Sequence, residues 1–203
     1  MPWNEDMSEI PGVTATRFEP EGEPVGTAVV VPGRGYPPAA PLTFFAGFVL
    51  LQHGWSVRQV WWDPPKHETD ERTTAWVREQ VERELPESGR VLVVGKSLGT
   101  YAAPLASERG LPAVWLTPIL DLPAIAEAVA ANPATQLLVG GSADDLWDSA
   151  VARDLASASC RVVEIAEADH ILMTPGDVVR GVEAHVEVVR AIDAWLAALA
   201  SGG

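Results

Sequence analysis

The sequence predicts an α/β protein with a mostly parallel sheet of about six to seven strands and helices on both faces. Short β-branched runs, such as residues 27–31 and 91–94, alternate along the chain with helical patterns such as residues 69–85. Strands that are apolar throughout are typical of parallel sheets, which are buried on both faces. The helical segments between them are typical of crossover connections. Because no linker, repeat or low-complexity segment interrupts this alternation, we expect a single domain over residues 1–203.

Composition excludes several classes of partner. A formal net charge of -14 argues against nucleic acid and anionic membrane surfaces, both of which would repel the protein. No apolar run approaches the length of a membrane span, and the N-terminal residues are acidic where a signal peptide would be basic. The single cysteine, Cys160, allows no internal disulfide. We therefore expect a cytoplasmic protein.

Proline, glycine and the apolar periodicity mark the individual elements. Strands are expected at residues 13–18, 27–31, 55–62, 91–94, 111–116, 136–139 and 161–165, and helices at 42–53, 69–85, 100–109, 122–131, 146–156 and 175–199. Residues 1–12 are expected to pack loosely. About twenty residues separate the strands at 111–116 and 136–139, which is enough for one helix and turns. The sequence therefore predicts no lid domain.

The most informative motif is Gly-Lys-Ser-Leu-Gly at residues 95–99, between the strand at 91–94 and the helix at 100–109. A strand that turns directly into a helix around Gly-x-Ser-x-Gly is the pattern of a nucleophile elbow. The glycines allow close passage of the chain, and Ser97 stands at the carboxyl end of the strand. The alternative is that Ser97 is only a helix N-cap, for which serine is also favoured.

Candidate partners of Ser97 follow later strands, where ligands bind in sheets of this type. Asp144 lies five residues past Val139, and Asp145 and Asp121 are the alternatives for the same acidic role. These acids are equally typical of a first helical turn. His170 lies five residues past Ile165, in a loop before the last helix, where a solvated histidine is the alternative. The order serine, acid, histidine favours a nucleophile, an orienting acid and a general base.

These motifs resemble the α/β-hydrolase family over nearly the whole chain, from about residue 13 to 199. The chain is similar to short, uncapped bacterial serine hydrolases of the dienelactone hydrolase-like and carboxylesterase-like kinds. The resemblance implies that Ser97 is the nucleophile, His170 the base and Asp144 the orienting acid. It also implies an acyl-enzyme mechanism that cleaves small carboxylic esters or thioesters and needs no metal or organic cofactor.

The segment Val-Pro-Gly-Arg-Gly-Tyr at residues 31–36 stands where the family places its first oxyanion loop. The resemblance therefore implies one oxyanion donor at the backbone N–H of Gly33 or Arg34, and a second at Leu98. The usual His-Gly of the family is replaced here by Pro32-Gly33.

Several side chains are candidates for substrate binding. Tyr36, Trp62, Trp115 and Trp147 lie near predicted strand ends. Lys96 and Arg34 flank the predicted site in a chain with only two lysines, Lys66 and Lys96. Either the two cations attract a carboxylate-bearing substrate, or they form salt bridges with neighbouring acids.

The expected partner is a small-molecule ester, and the protein is expected to be a monomer or a homodimer. A thioesterase or an acyltransferase would use the same residues. A non-catalytic binding protein with this fold is the alternative outside enzymes.

Overall fold

A computed structural model describes residues 16–66 and 68–201. It contains one seven-stranded sheet in the order β1-β3-β2-β4-β5-β6-β7, in which β1 runs antiparallel and every other neighbouring pair is parallel. The strands are β1 Arg17–Phe18, β2 Gly26–Val31, β3 Trp55–Gln59, β4 Val91–Lys96, β5 Ala113–Leu116, β6 Gln136–Gly141 and β7 Cys160–Ile165. The predicted fold class is therefore confirmed.

Helices cover both faces of the sheet. The α-helices are α1 Pro41–Gln52, α2 Asp70–Glu84, α3 Ala103–Arg109, α4 Pro123–Ala131, α5 Ser149–Leu155 and α6 Val178–Ser201. Helices α1 and α6 pack on one face, and the other four pack on the opposite face. In β2, Ala28 and Val30 belong to the first core layer and Val29 and Val31 to the second. This two-sided burial explains why the strand shows no polar alternation.

Three predicted helix starts are wrong, each for a local reason. Residues Ser97–Ala102 form a 3-10 turn, so the α-helix after the motif begins only at Ala103. Helix α5 begins at Ser149 rather than at residue 146, because the Asp148 carboxylate accepts hydrogen bonds from the first free N–H groups. Helix α6 begins at Val178 rather than at residue 175, because Asp177 accepts a hydrogen bond from the Arg180 N–H.

Two predicted strands are shorter than expected. The strand expected at 55–62 ends at Gln59, and the strand expected at 111–116 begins only at Ala113. Of the strand expected at 13–18 the structure describes Arg17–Phe18, since residues 13–15 lie outside the described residues. The expected loose packing of residues 1–12 also lies outside them. Between β5 and β6 the chain forms only α4 and turns, so the carboxyl edge of the sheet has no lid inserted there. Across the described residues, none of the helices is both long and apolar enough to span a membrane.

Candidate active site

Ser97 lies at a tight turn between β4 and the 3-10 turn and has a left-handed backbone conformation, with φ of 51°. Such a conformation is strained for a residue with a side chain. Both glycines of the motif are sterically required. A Cβ on Gly99 would lie 2.2 Å from the Val31 carbonyl oxygen, and one on Gly95 would lie 2.7 Å from the Gly99 carbonyl oxygen. The motif therefore holds Ser97 at the end of β4 in the geometry that a nucleophile elbow requires.

Ser97, His170 and Asp144 form a continuous chain of hydrogen bonds. The Ser97 Oγ lies 2.7 Å from His170 Nε2, and His170 Nδ1 lies 2.8 Å from Asp144 Oδ2. The other carboxylate oxygen of Asp144 accepts a hydrogen bond from the Leu146 N–H at 3.0 Å. The Asp144 side chain is 1% exposed and that of His170 31% exposed. The imidazole is thus held by a buried carboxylate and is still open to solvent on one side.

The structure separates Asp144 from the two alternative acids. Asp145 and Asp121 are both exposed on the surface, and neither is bonded to His170. Asp144 is therefore the acid that the fold places beside the histidine.

Close backbone packing brings the histidine loop to the acid. A Cβ on Gly141 would lie 2.1 Å from the Ala168 carbonyl oxygen, so only glycine fits at the end of β6. The same carbonyl accepts a hydrogen bond from the Ala143 N–H at 3.0 Å. The Asp169 carboxylate accepts the N–H groups of Ile171 and Met173, each at 2.9 Å, and so closes the loop around His170.

The backbone hydrogen bonds distinguish the two candidate donors of the oxyanion loop. The Gly33 N–H donates to the Tyr36 carbonyl at 3.2 Å, so it is already engaged. For the Arg34 N–H, the structure gives no acceptor among residues 16–66 and 68–201. Leu98 lies in the first turn of the 3-10 segment, where N–H groups have no acceptor within the helix. Of the three candidate donors, Arg34 and Leu98 are therefore the two whose N–H groups are not engaged elsewhere in the described residues.

The guanidinium of Arg34 forms no ion pair with the carboxylates of residues 16–66 and 68–201. Its Nη1 donates to the carbonyl oxygens of Pro65 at 3.0 Å and Pro64 at 3.4 Å. These bonds tie the oxyanion loop to the segment that follows β3.

Lys96 is buried beneath the oxyanion loop, with only 2% of the residue exposed. Its Nζ lies 4.7 Å from the centre of the Tyr36 ring, and within the described parts of the chain it has no hydrogen bond or ion pair. Burial lowers its pKa to about 8, although the negative charges of Asp144 and Asp169 oppose that shift. Within those parts of the chain, the expected salt bridge of Lys96 is not formed. The alternative role, attraction of a substrate carboxylate, is not supported by a residue that is only 2% exposed.

Two predicted substrate-binding residues belong to the hydrophobic core instead. Trp115 is fully buried, and its Nε1 donates to Gln136 Oε1 at 2.9 Å. Trp147 covers Gly140, where an added Cβ would lie 2.0 Å from the indole, and its Nε1 donates to Glu164 at 2.6 Å. Both indoles pack between the sheet and its helices, because the central strands of a parallel sheet are covered on both faces.

Tyr36 and Trp62 do lie beside the predicted site. They line a cavity of about 160 Å³ next to the oxyanion loop, together with Gly33, Gly35, Trp61 and three prolines, Pro32, Pro37 and Pro38. The Trp62 Nε1 donates to the Gly33 carbonyl oxygen at 3.5 Å. The centres of the Trp62 and Trp76 rings are 5.0 Å apart. Sequence reasoning did not single out Trp61. Its position at the end of a strand, directly before Trp62, is the signal that indicates it.

The other described histidines lie away from Ser97. His53 pairs with Asp193 at 2.8 Å, and His185 Nδ1 lies 2.8 Å from the Gly181 carbonyl oxygen. His67 lies outside the described residues. Over residues 16–66 and 68–201, histidine, cysteine and acidic side chains form no cluster of three or more suited to a metal ion.

No family model matches the sequence, and no curated protein matches it. Solved structures do match. The chain is similar to Est1E from Butyrivibrio proteoclasticus, with a TM-score of 0.71 and 11% identity over 91% of this chain and 94% of that one. It is similar to an α/β serine hydrolase without a lid from Xanthomonas campestris, with a TM-score of 0.57 and 16% identity over 88% and 87% of the two chains.

A third match is dienelactone hydrolase from Anabaena variabilis. Its TM-score is 0.61, with 20% identity over 88% of each chain. These similarities extend over most of both chains in each pair. The protein therefore has the α/β-hydrolase fold.

Proposed function

We propose that this protein is a serine hydrolase that cleaves small carboxylic esters through an acyl-enzyme intermediate. One observation supports the proposal above all others. The hydrogen-bonded chain from Ser97 to His170 to Asp144 ends at a serine in a left-handed conformation. A strained serine with a base and a buried acid is the arrangement that nucleophilic catalysis requires.

In the proposed mechanism, His170 Nε2 takes the Ser97 proton as Oγ attacks the carbonyl carbon of the ester. The Arg34 and Leu98 N–H groups would donate to the oxygen that becomes negatively charged. His170 then returns the proton to the leaving alcohol, and the C–O bond breaks to leave an acyl group on Ser97. Water, deprotonated by the same histidine, releases the carboxylic acid. Asp144 orients the imidazole and stabilises its cationic form throughout.

The surroundings of Ser97 support small substrates. No lid is inserted between β5 and β6, and the neighbouring cavity of about 160 Å³ accommodates a short chain or one ring. The solved structures with similar folds include proteins described as an esterase and a serine hydrolase without a lid. No step of this mechanism requires a metal or an organic cofactor.

Turnover of p-nitrophenyl acetate and p-nitrophenyl butyrate tests the proposal. We expect hydrolysis by the wild type, and a loss of kcat of at least about 10⁴-fold in Ser97→Ala and in His170→Ala. The exposed Asp145→Asn variant is the control for general damage to this surface, and it should retain activity. Activity that persists in Ser97→Ala would contradict the proposal. Acetyl thioesters and added alcohol acceptors in the same assay distinguish a thioesterase or an acyltransferase from an esterase.

A further inference from the structure

The structure places the lysine that precedes the nucleophile in an unusual environment. Lys96 is 2% exposed, and the residues around it within the described chain include no carboxylate at ion-pair distance. A buried cation without such a partner is normally destabilising, because desolvation is not compensated. An apolar side chain of similar length would occupy the same space at lower free energy. The burial of an ammonium at this position therefore calls for a functional reason.

The side chain of Lys96 touches the oxyanion loop at two points. Its Cδ lies 3.0 Å from where a Cβ on Gly33 would be, so the methylene stem lies directly against that glycine. Its ammonium lies 4.7 Å from the centre of the Tyr36 ring, which is a favourable cation–π distance. Gly33 and Tyr36 are themselves joined by backbone hydrogen bonds in both directions, at 3.2 and 3.4 Å. Lys96 therefore supports both ends of the turn that carries Arg34.

The same loop is anchored on its other sides. The Tyr36 hydroxyl accepts the Leu42 N–H at 3.0 Å, and Arg34 is tied to Pro65 at 3.0 Å. Ser97 follows Lys96 directly, and the Ser97 Cβ lies 3.3 Å from where a Cβ on Gly33 would be. The distance between the nucleophile and the loop donor thus depends on how the Lys96 side chain fills the space below Gly33.

We propose that Lys96 is a positioning residue, whose buried ammonium holds the Gly33–Tyr36 turn against the nucleophile and so aims the Arg34 N–H at the developing oxyanion. This inference rests on the proposed function. It concerns the chemical step rather than substrate binding, since only 2% of the residue is exposed. A small displacement of an oxyanion donor is sufficient to reduce kcat, because the donor must be preorganised.

The ionisation of Lys96 links this support to pH. The groups that face it are Tyr36 from the oxyanion loop, Asp144 from the loop after β6 and Asp169 from the histidine loop. Of these, the two carboxylates favour the ammonium, and burial opposes it so that its pKa falls to about 8. Above that pH the amine becomes neutral and the attraction to the Tyr36 ring is lost. Activity should therefore decline on the alkaline side.

The test is a double-mutant cycle on the full chain with Lys96→Met and Tyr36→Leu, in which kcat and KM are measured on p-nitrophenyl acetate. Lys96→Met should lower kcat at least about 10-fold and change KM less than about threefold. Complete removal of one oxyanion donor lowers kcat about 10²- to 10³-fold, and a displaced donor should cause a smaller loss. In the Tyr36→Leu background the same change should have less than about a threefold effect. Lys66→Met, the same substitution at an exposed lysine, is the matched control.

A stability measurement separates positioning from a structural role. Lys96→Met should unfold at a higher urea concentration than the wild type while its kcat falls. The loss of a purely structural residue would lower the urea midpoint as well as kcat. An unchanged kcat in Lys96→Met would overturn the inference, as would equal losses in the two Tyr36 backgrounds.

The pH profile of the wild type is a second, independent readout. It should show an alkaline decline that Lys96→Met lacks, and a decline of equal size in the wild type and in Lys96→Met would overturn the inference. Failure of the wild type to hydrolyse any ester would contradict the proposed function. Full activity in Lys96→Met would contradict only the role of Lys96.

Discussion

Gly99 lies directly against the end of β2, so that a Cβ on it would be 2.2 Å from the Val31 carbonyl oxygen. This contact joins the nucleophile turn to the strand that leads into the oxyanion loop. The Val31 oxygen belongs to the backbone of an interior strand, so it cannot move aside as a flexible side chain can. The contact thus constrains where Ser97 and Arg34 stand relative to each other.

Gly99→Ala should therefore destabilise the fold by about 3 kcal/mol, near the upper end for overpacking of a dense interior. Urea unfolding measures the change. Gly47→Ala is the matched control, because its added Cβ would meet only Val57 Cγ1 at 3.9 Å and alanine is favoured in a helix. We expect that control to be neutral or slightly more stable. Equal stability of the two variants would contradict the steric account.

The choice among the three acids can be tested by amide substitution. Asp144→Asn should lower kcat about 10⁴-fold, because the amide can hold the imidazole in the wrong tautomer and cannot stabilise its cation. Asp145→Asn and Asp121→Asn change exposed side chains and should have less than a threefold effect. The ester assay measures all three. A larger loss in either control than in Asp144→Asn would contradict the assignment.

Stability should depend on pH through Lys96. Its folded pKa of about 8 lies below the ordinary value of 10.5, so the unfolded chain binds more protons between these two values. The Lys96 contribution to the free energy of unfolding should therefore rise with pH across that window, by about 3 kcal/mol, and the pKa of the Cys160 thiol, raised by burial to about 11, opposes that rise above pH 9. Lys96→Met should lack this rise and should be more stable than the wild type at pH 7 by a similar amount.

Urea titrations at pH 7, 8, 9 and 10 measure this dependence. Lys66→Met, which removes an exposed lysine, should retain the wild-type slope. If the free energy of unfolding changes with pH equally in Lys96→Met and in the wild type, the pH dependence comes from groups other than Lys96.

Trp115 should affect stability and not substrate binding. In Trp115→Phe the side-chain oxygen of Gln136, Oε1, loses its donor and remains buried. This loss should lower the free energy of unfolding by about 1 to 3 kcal/mol. The KM for small p-nitrophenyl esters should stay within about twofold of the wild type. In contrast, Trp62→Leu alters a wall of the cavity beside the oxyanion loop and should change KM. A large KM change in Trp115→Phe alone would contradict this division.

The sequence was sufficient to predict the fold class and the meeting of Ser97 and His170 with one of three acids, among which the family resemblance implied Asp144. Both depend on short-range features: β-branched runs, the spacing of two glycines around a serine, and polar residues placed just after strands. Parallel strands bring their carboxyl ends to one edge of the sheet, so residues far apart in the chain become neighbours. The rule holds without knowledge of side-chain packing.

The environments of Lys96, Trp115 and Trp147 could not be predicted in this way. Each environment depends on the face of the sheet on which the side chain lies. It also depends on which residues of a neighbouring loop pack against that side chain. The pattern around Lys96 contains no sign of the Tyr36 ring, because Tyr36 is brought over it by the turn at Gly33. The late start of α6 likewise follows from Asp177, whose carboxylate accepts the Arg180 N–H.

The most direct test of the central claim is covalent labelling by a fluorophosphonate, followed by intact mass and peptide mapping. Only a serine activated by a neighbouring base reacts quickly with such a probe. We predict one adduct per chain, located on Ser97, absent in Ser97→Ala and strongly slowed in His170→Ala. Folded wild-type protein that remains unlabelled, or an adduct on another residue, would contradict the assignment of Ser97 as the nucleophile.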